Sequence, residues 1–483
     1  MSIVKQLQQG HREFSLPATL RLANGDTLRC THLLRVLPGK RAVMKAQWQG
    51  AGHDHEHGHE HGHERAVLVK LMLNTASGAR NARRELAGHA ILNAAKITTP
   101  QLLLTERGAD ESHVLVFEFL HQERRIAELW RDHAERRAQI ARDCLRLIAR
   151  MHAHGCCQND LYLDNFLLAG ERLYAIDFAS VSRRANTEYG NWQRQNLALF
   201  FVSFAPVWHK FLLNALTKNY AVAAADDKLE RAIARAWRRS KSRYLKKCFR
   251  ECSEFSTRTS WRQVAVWSRA HHCADLISFV QNPEAWMAKG ELLKDGTSAT
   301  VVRVVMNGMN DMDGDEKMVV IKRNNIKNFF HGLRYCLRAT RSRVNWRNAH
   351  LLKISGIKTP PPIAFVETRW GPFRVRGYYV CAFNGFPSAA EKYQSHVPAA
   401  HELAWFEALF ANMYLARIYH GDCKASNLLV TDDGVAVIDL DSMKECSARK
   451  IRALARKDRR RFLKNWEGKP AQLKLFSEIL SKA

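Results

Sequence analysis

The sequence predicts an α+β protein made of two tandem modules, each with a small β-rich lobe followed by a helical lobe. The length of 483 residues exceeds what one ordinary core accommodates, and 46% hydrophobic with 25% charged residues is typical of folded domains. One order of elements also occurs twice: a lysine-bearing strand, a helix, two strands, a helix, a polar loop and a strand pair. We therefore predict modules of residues 1–245 and 246–483, joined by a basic helix.

The small lobes are predicted by two β-rich runs that each contain one lysine. These are AVLVKLML, which contains Lys70, and MVVIKRNN, which contains Lys322. Each run precedes a basic helical stretch that closes on the dipeptide Thr-Pro, at Pro100 and Pro360. The next segments, LLLTERGADESHVLVFEFL and AFVETRWGPFRVRGYYVCAF, are typical of two strands joined by a turn.

The helical lobes are predicted by RDCLRLIARMHAHG and WFEALFANMYLARIYHG, in which apolar residues recur at helical intervals. Each helix leads into a polar loop, QNDLYLDNFLL in the first module and HGDCKASNLLV in the second. In both loops an asparagine follows an aspartate by five residues, and another aspartate lies seventeen residues after the first. These residues are Asp160, Asn165 and Asp177 in the first module, and Asp422, Asn427 and Asp439 in the second.

These residue types at this spacing suit phosphoryl transfer, which needs an orienting carboxylate, oxygen ligands for a metal ion and cations beside the phosphates. Asp422 is the candidate catalytic carboxylate, and Asn427 and Asp439 are candidate oxygen ligands for Mg²⁺. Lys424 is close enough in sequence to Asp422 to reach the γ-phosphate of ATP. Lys322, on the earlier strand, suits the α- and β-phosphates.

The loop HGDCKASN, which begins with His420, resembles the H-x-D-x-K-x-x-N catalytic loop of the protein-kinase-like superfamily. With VIDLDSM after it, and with NFLL and AIDF in the first module, the sequence is similar to the lipopolysaccharide kinases of Gram-negative bacteria. This resemblance implies two kinase-like domains that use ATP and Mg²⁺. It also implies phosphate transfer to a heptose or Kdo hydroxyl of the lipopolysaccharide inner core, at the cytoplasmic face of the inner membrane.

The first module carries its own candidate set under this resemblance. Asp160 is the catalytic candidate, and Asn165 and Asp177 are the metal candidates. Lys70 and the helical residue Glu85 can form the ion pair that holds a nucleotide-binding lysine. The turns within VLPGKRAV and LKDGTSATV are the candidates for the loop that covers the phosphates in each module.

The two modules depart from the kinase pattern in opposite ways. In the first module Gln158 stands where the family has histidine, and Tyr162 stands where the second module has Lys424. In the second module Asn345 stands at the position of Glu85, so the lysine–glutamate pair is expected to be missing. Because tyrosine cannot supply a cation at the γ-phosphate, we expect the second module to carry most of the catalysis.

The net charge of +28 favours anionic partners. No nucleic-acid-binding motif accompanies this charge, so nucleic acid is not an expected partner. No apolar run is long enough for a membrane-spanning helix, and the start of the chain lacks the apolar core of a signal peptide. We therefore expect a cytoplasmic protein, peripheral to the inner membrane, that binds a lipopolysaccharide core intermediate and an anionic membrane surface.

Two further segments carry candidate functions. HDHEHGHEHGH, residues 53–63, is a possible Zn²⁺, Ni²⁺ or Cu²⁺ ligand or a solvated hairpin extension without function. ARKIRALARKDRRRFLKNW, near the end of the chain, is either a solvated helix face or a contact for anionic lipid or a phosphorylated core sugar.

Two alternatives to the lipopolysaccharide kinase remain open. A kinase for small molecules, of the aminoglycoside or choline type, has the same loop chemistry but leaves the charge of +28 unexplained. A tandem pseudokinase scaffold would bind nucleotide without turnover and dock acidic partners. The sequence carries no signal of oligomeric state.

Overall fold

A computed structural model describes most of the chain. The described residues are 1–50, 65–185, 188–220, 226–309, 317–325 and 338–482. The histidine-rich segment 53–63 lies outside them.

The chain separates into two compact units. The first comprises Met1–Phe204 and His209–Ala236, and the second comprises Ala205–Trp208 and Trp237–Ala483. The division lies inside the helix Asp227–Lys247. The boundary at residue 245 falls in the same helix and stays a prediction.

The small lobe of the first unit is an antiparallel sheet preceded by one short helix. Its elements are α1 (Ile3–Gln8), β1 (Ala18–Arg21), β2 (Thr27–Leu37), β3 (Arg41–Gln49), β4 (Arg65–Met72), α2 (Ala76–Ala94), β5 (Leu102–Arg107) and β6 (His113–Glu118). The strands are ordered β1-β2-β3-β4-β6-β5. Along β4, Val67, Val69 and Leu71 are buried in the lobe core, so the two-residue period places Lys70 on the opposite face.

The helical lobe of the first unit follows. Its strands are β7 (Arg124–Arg125), β8 (Cys156–Gln158), β9 (Phe166–Ala169), β10 (Arg172–Ala175) and β11 (Val181–Arg183). Its helices are α3 (Ile126–Asp132), α4 (Arg137–Ala153), α5 (Asn191–Phe201), α6 (His209–Asn219) and the first part of α7 (Asp227–Lys247). The pair β9–β10 is the short strand pair that the sequence predicts after the polar loop.

The small lobe of the second unit has seven strands in the order β12-β13-β17-β18-β16-β15-β14. These are β12 (Phe255–Thr259), β13 (Gln263–Ser268), β14 (Glu291–Asp295), β15 (Ala299–Met306), β16 (Lys317–Asn324), β17 (Pro362–Trp370) and β18 (Phe373–Ala382). Its helices are α8 (Ala274–Gln281), α9 (Pro283–Lys289) and α10 (Arg341–Ile354). Strands β14-β15-β16-β18-β17 reproduce the order β2-β3-β4-β6-β5, so the same five-stranded core occurs in both units.

The helical lobe of the second unit closes the described chain. Its elements are α11 (Ala389–Lys392), α12 (Ala400–Leu415), β19 (Ile418–Tyr419), β20 (Leu428–Thr431), β21 (Gly434–Val437), β22 (Lys444–Glu445), α13 (Ala448–Leu463) and α14 (Pro470–Lys482). Phe462 anchors α13, with its ring centroid 5.5 Å from Phe406 and 4.9 Å from Phe476. Full burial of one such ring stabilises the fold by about 1.5–3 kcal/mol. The packing of Phe462 therefore holds α13 against the rest of the helical lobe.

Two general features bear on function. In the described residues, no helix is both long and apolar enough to cross a bilayer. Cys156 and Cys157 are 1% and 5% exposed, and burial raises the pKa of both thiols. This burial disfavours the reactive thiolate, so the two residues serve packing.

Candidate active site

Asp422 lies at the centre of an ionic cluster in the second unit. Its Oδ2 atom is 2.8 Å from Lys424 Nζ, and its Oδ1 atom is 3.3 Å from the guanidinium of Arg461 on α13. The side chain of Asp422 is 30% exposed. Two cations therefore orient this carboxylate while it stays open to an incoming hydroxyl group.

The backbone of the same loop is held by His420 and Asp458. His420 Nε2 donates to the carbonyl oxygen of Ile438 at 3.0 Å, and His420 Nδ1 accepts from the Asp422 amide at 3.3 Å. On α13, Asp458 accepts from the amides of His420 and Gly421 at 2.7 and 3.0 Å. Burial raises the pKa of Asp458 to about 6 and lowers the pKa of His420. His420 therefore braces the loop as a neutral ring.

Asn427 and Asp439, the two candidate metal ligands, are joined through the backbone of the loop and of the residue before Asp439. Asn427 Nδ2 donates to the carbonyl oxygen of Asp422 at 2.9 Å, and the Ile438 amide donates to the carbonyl oxygen of Asn427 at 3.0 Å. These bonds hold Asn427 beside Asp439 and leave its amide oxygen for another partner. A carboxylate and an amide oxygen are hard donors that fit Mg²⁺. Asp439 also has a left-handed backbone, with φ of 57°, which is sparsely populated by residues other than glycine.

Lys322 lies between two carboxylates. Its Nζ atom is 2.6 Å from Asp439 Oδ1 and 3.1 Å from Asp441 Oδ2. Burial lowers the pKa of Lys322, but Asp441 and Asp439 raise it by more, so the net shift is upward. Burial likewise raises the pKa of Asp439, and Lys322 outweighs it in the downward direction. Asn345 Nδ2 donates to Asp441 Oδ1 at 2.5 Å, so Asp441 supplies the carboxylate that α10 lacks.

The first unit holds its lysine in the more usual kinase way. Lys70 Nζ lies 2.8 Å from Glu85 Oε2, and Glu85 is fully buried on α2. The same oxygen accepts from the Phe178 amide at 3.2 Å, directly after Asp177. Gly88 makes this close packing possible, because a Cβ atom there would lie 1.9 Å from the Phe178 carbonyl oxygen. The ion pair expected from the sequence is therefore formed.

The polar loop of the first unit is poorer in charge. Asn165 Nδ2 donates to the carbonyl oxygen of Asp160 at 2.8 Å, which matches the bond that Asn427 makes. Asp160 has no cation on its carboxylate among the described residues, and accepts instead from the hydroxyl of Ser180. Burial raises the pKa of Asp160, and the Asp177 carboxylate adds to the rise while Ser180 opposes it. Gln158 replaces the bracing histidine and donates to the Ile176 carbonyl oxygen at 2.9 Å.

The same positions on the following helices carry different side chains. Asn196 and Asp458 each lie 36 residues after the loop aspartate of their unit, and Leu199 and Arg461 each lie 39 residues after it. Asn196 donates to the Gln158 carbonyl oxygen, so it also braces its loop, but it carries no charge. The second unit therefore has the complete loop, and the first unit has the complete lysine–glutamate pair.

The comparison with protein families decides the relationship. The model of the "Lipopolysaccharide kinase (Kdo/WaaP) family" matches residues 47–226 and 283–468. The chain belongs to this lipopolysaccharide kinase family. One matched range lies in each unit, which confirms the predicted tandem of kinase-like domains.

Other comparisons add little to this assignment. No curated protein matches the sequence. Among solved structures, one match is a crystal structure of the BubR1 kinase domain, with 16% identity and a TM-score of 0.27. It covers 36% of this chain, and the chain spans 53% of that structure's length.

In this lipopolysaccharide kinase family member, the two predicted phosphate-covering turns are the turns of β-hairpins. In the first unit the turn joins β2 to β3, and both flanking arginines reach the site. Arg35 lies 3.7 Å from Asp177 Oδ2, and Arg41 lies 3.7 Å from Glu85 Oε1. In the second unit the turn joins β14 to β15. Burial raises the pKa of Asp439, and Lys294 on β14 adds to the lowering by Lys322 and His420 that outweighs this rise.

Four site residues of this kinase-family chain escaped the sequence reasoning. Ser180 lies three residues after Asp177, and Asp441 lies two residues after Asp439. Asp441 stands in the quoted phrase VIDLDSM, but its contact with Lys322 was not predicted. Asp458 is the one acidic residue in a sixteen-residue helix that contains eight basic residues. That contrast was the sequence signal that could have identified it as a site residue. Arg461 was hidden among those basic residues, and nothing in the sequence separated it from them.

Proposed function

We propose that this chain is an ATP- and Mg²⁺-dependent phosphotransferase that phosphorylates a heptose or Kdo hydroxyl of the lipopolysaccharide inner core. The observation that carries the proposal is the arrangement around Asp422 in a chain of this family. An exposed carboxylate, oriented by two cations and braced by a neutral histidine, is suited to accept the proton of a sugar hydroxyl.

The residues of the second unit divide the work as follows. The acceptor oxygen bonds to the γ-phosphorus as the bond from that phosphorus to ADP breaks, and the hydroxyl proton passes to Asp422. Lys424 neutralises charge on the transferred group, and Lys322 holds the α- and β-phosphates. Asn427 and Asp439 would hold Mg²⁺. When bound, the ion would supply positive charge that offsets the negative charge developing on the phosphate oxygens.

We propose that the first unit binds ATP and turns it over slowly. Lys70 and Glu85 form the nucleotide-holding pair, and Asn165 and Asp177 offer the oxygen ligands. Tyr162 brings no cation to the loop, and burial raises the pKa of Asp160. Weak catalysis is therefore proposed for this unit alone. The observation against a scaffold role for the whole chain is the complete loop around Asp422.

The proposed place of action is the cytoplasmic face of the inner membrane, where the chain would associate peripherally. The support is the net charge of +28, which attracts anionic surfaces. The net charge would remain unexplained in a kinase for small molecules. This supports a large anionic acceptor over an aminoglycoside or choline.

The test is mass spectrometry of the lipopolysaccharide core from cells with and without the gene. We expect the core to lose one phosphate, about 80 Da, without the gene. Wild-type chain should restore the mass, and Asp422→Asn should not. An unchanged core, or full restoration by Asp422→Asn, would contradict the proposal. Purified chain with ATP, Mg²⁺ and the dephosphorylated core then tests the reaction directly.

A further inference from the structure

The basic residues of helix α13 cover a broad arc of its surface, and one edge of this arc begins at Arg461. Eight of its sixteen residues are basic and one is acidic. At about 100° per residue, Lys450, Lys457 and Lys464, the last of which caps the end of the helix, lie within about 60° of Arg461 around the helix axis. We call these four residues the loop-side stripe. On the opposite side, about 120° or more from Arg461, the helix carries Arg449, Arg452 and Arg456.

Arg461 connects the loop-side stripe to the catalytic loop. The buried face of α13 contains Ile451, Asp458 and Phe462, and Asp458 bonds to the loop backbone. Arg461, one turn further along, reaches Asp422 itself. The stripe therefore meets the catalytic carboxylate at Arg461 and extends from there along the helix. Its span from residue 450 to 464 is about 21 Å.

The stripe lacks anionic partners apart from that carboxylate. All four side chains are exposed, and among the described residues the three lysines pair with no carboxylate. Like charges held together on one helix edge repel each other, and an anionic ligand would relieve that repulsion. The nucleotide has separate cations, Lys322 and Lys424, in the proposed mechanism. Because Arg461 contacts the carboxylate that would meet the acceptor hydroxyl, the acceptor is favoured as the partner over the membrane surface.

We propose that the loop-side stripe binds the anionic groups of the acceptor, namely phosphate or carboxylate groups carried on a sugar of several charges. The inference rests on the proposed function and adds to it a subsite for the negative charges that the acceptor already carries. Such a ligand would extend from the hydroxyl at Asp422 along α13 for the length of several sugar residues. Arg461, the stripe residue that contacts the carboxylate, would position the acceptor rather than react.

The test compares two triple variants of the full chain that remove three charges from the same helix. The stripe variant is Lys450→Gln, Lys457→Gln and Lys464→Gln, and the control is Arg449→Gln, Arg452→Gln and Arg456→Gln. The acceptor probe is de-acylated lipopolysaccharide, which cannot form a membrane. We expect the stripe variant to have an acceptor KM roughly ten-fold higher than wild type, because each exposed ion pair strengthens acceptor binding by about two-fold or more. The KM for ATP should not change in either variant, and the control should stay within about two-fold of wild type.

Calorimetric binding of the same probe, and of the probe after chemical removal of its phosphates, needs no turnover. Stronger binding of the phosphorylated probe, weakened only in the stripe variant, supports the stripe even if lipopolysaccharide is not phosphorylated by this chain. In that case the proposed function fails and the stripe stands. Equal losses in both variants would overturn the proposal. So would a stripe variant that binds the probe normally and loses only its binding to anionic phospholipid vesicles.

Discussion

Asn345 Nδ2 donates a hydrogen bond to Asp441 Oδ1, and the other oxygen of Asp441 lies 3.1 Å from Lys322 Nζ. The first unit reaches the same end with Glu85, which contacts Lys70 directly from the helix. In the second unit the carboxylate that contacts the lysine belongs to Asp441, two residues after the candidate metal ligand Asp439, and Asn345 on the helix orients it. The lysine is held in both units, although the second lacks the helix glutamate.

Asp441→Asn should weaken ATP use by the second unit. Removing one of two carboxylates around a largely buried lysine leaves it less well oriented, and we expect kcat/KM for ATP to fall about 10- to 100-fold. The KM for the acceptor should change little. The double variant Asn345→Asp with Asp441→Asn returns the carboxylate to the helix and should recover part of the loss. Steady-state kinetics with each substrate varied separately checks this, and an unchanged KM and kcat for ATP in Asp441→Asn would refute it.

Asp422→Ala should remove most of the activity, whereas Asp160→Ala should not. Loss of a positioned acid–base group costs at least about 10²-fold in rate. The comparison uses purified full-length variants and counts phosphate incorporated into the core acceptor. If Asp160→Ala were inactive and Asp422→Ala active, the ranking of the two units would be reversed.

The chain should bind two nucleotides, one in each unit. Calorimetry with a non-hydrolysable ATP analogue and Mg²⁺ should give a stoichiometry near two, falling to near one in Lys70→Ala or Lys322→Ala. Arg107→Ala, on the small lobe of the first unit, is a control that should leave both sites. A stoichiometry near one in wild type that Lys70→Ala leaves unchanged would show that the first unit binds no nucleotide.

Asp458 should make the second unit less stable as the pH rises. Its folded pKa of about 6 lies above the ordinary value of 3.8, so the folded state holds the proton more tightly than the unfolded state. Its favourable contribution is therefore complete below pH 3.8 and is lost as the pH rises through 6. The shift corresponds to roughly 3 kcal/mol.

Thermal unfolding of wild type and Asp458→Asn between pH 4 and 8 measures this effect. The Tm of wild type relative to the variant should fall across that range and level off above pH 7. The control is Asp433→Asn, because the Lys358 ammonium lowers the pKa of Asp433 and gives the opposite sign. A constant Tm difference between wild type and Asp458→Asn would show that Asp458 keeps its ordinary pKa.

Membrane association should be electrostatic and sensitive to salt. The chain has 75 Lys and Arg residues against 47 Asp and Glu, so its surface attracts anionic membranes. This attraction is screened beyond about 8 Å at physiological salt. Each basic residue near an anionic surface contributes about 1 kcal/mol, so a few suffice for transient docking. Sedimentation with anionic vesicles should show binding at low salt and release by 1 M salt. Equal binding to neutral vesicles, or binding that survives 1 M salt, would exclude this account.

The sequence by itself determined the tandem organisation and the positions of the loop residues. Asp422 and Asn427 lie five residues apart on one loop, and Lys322 is placed on its strand face by a two-residue period. Both relationships are local, and local spacing and periodicity fix them. The same order of elements along the chain in both units follows from the repeated motifs in the same way.

Only the tertiary structure decided which charges meet. Asp441 and Asn345 are 96 residues apart, and Arg461 is 39 residues from Asp422, so lobe and helix packing brings each pair together. The burial of Phe462 sets the rotation of α13, and that rotation selects Arg461 and Asp458 from a run of nearly uniform basic residues. No local pattern encodes that choice, because it depends on which side of the helix the core covers.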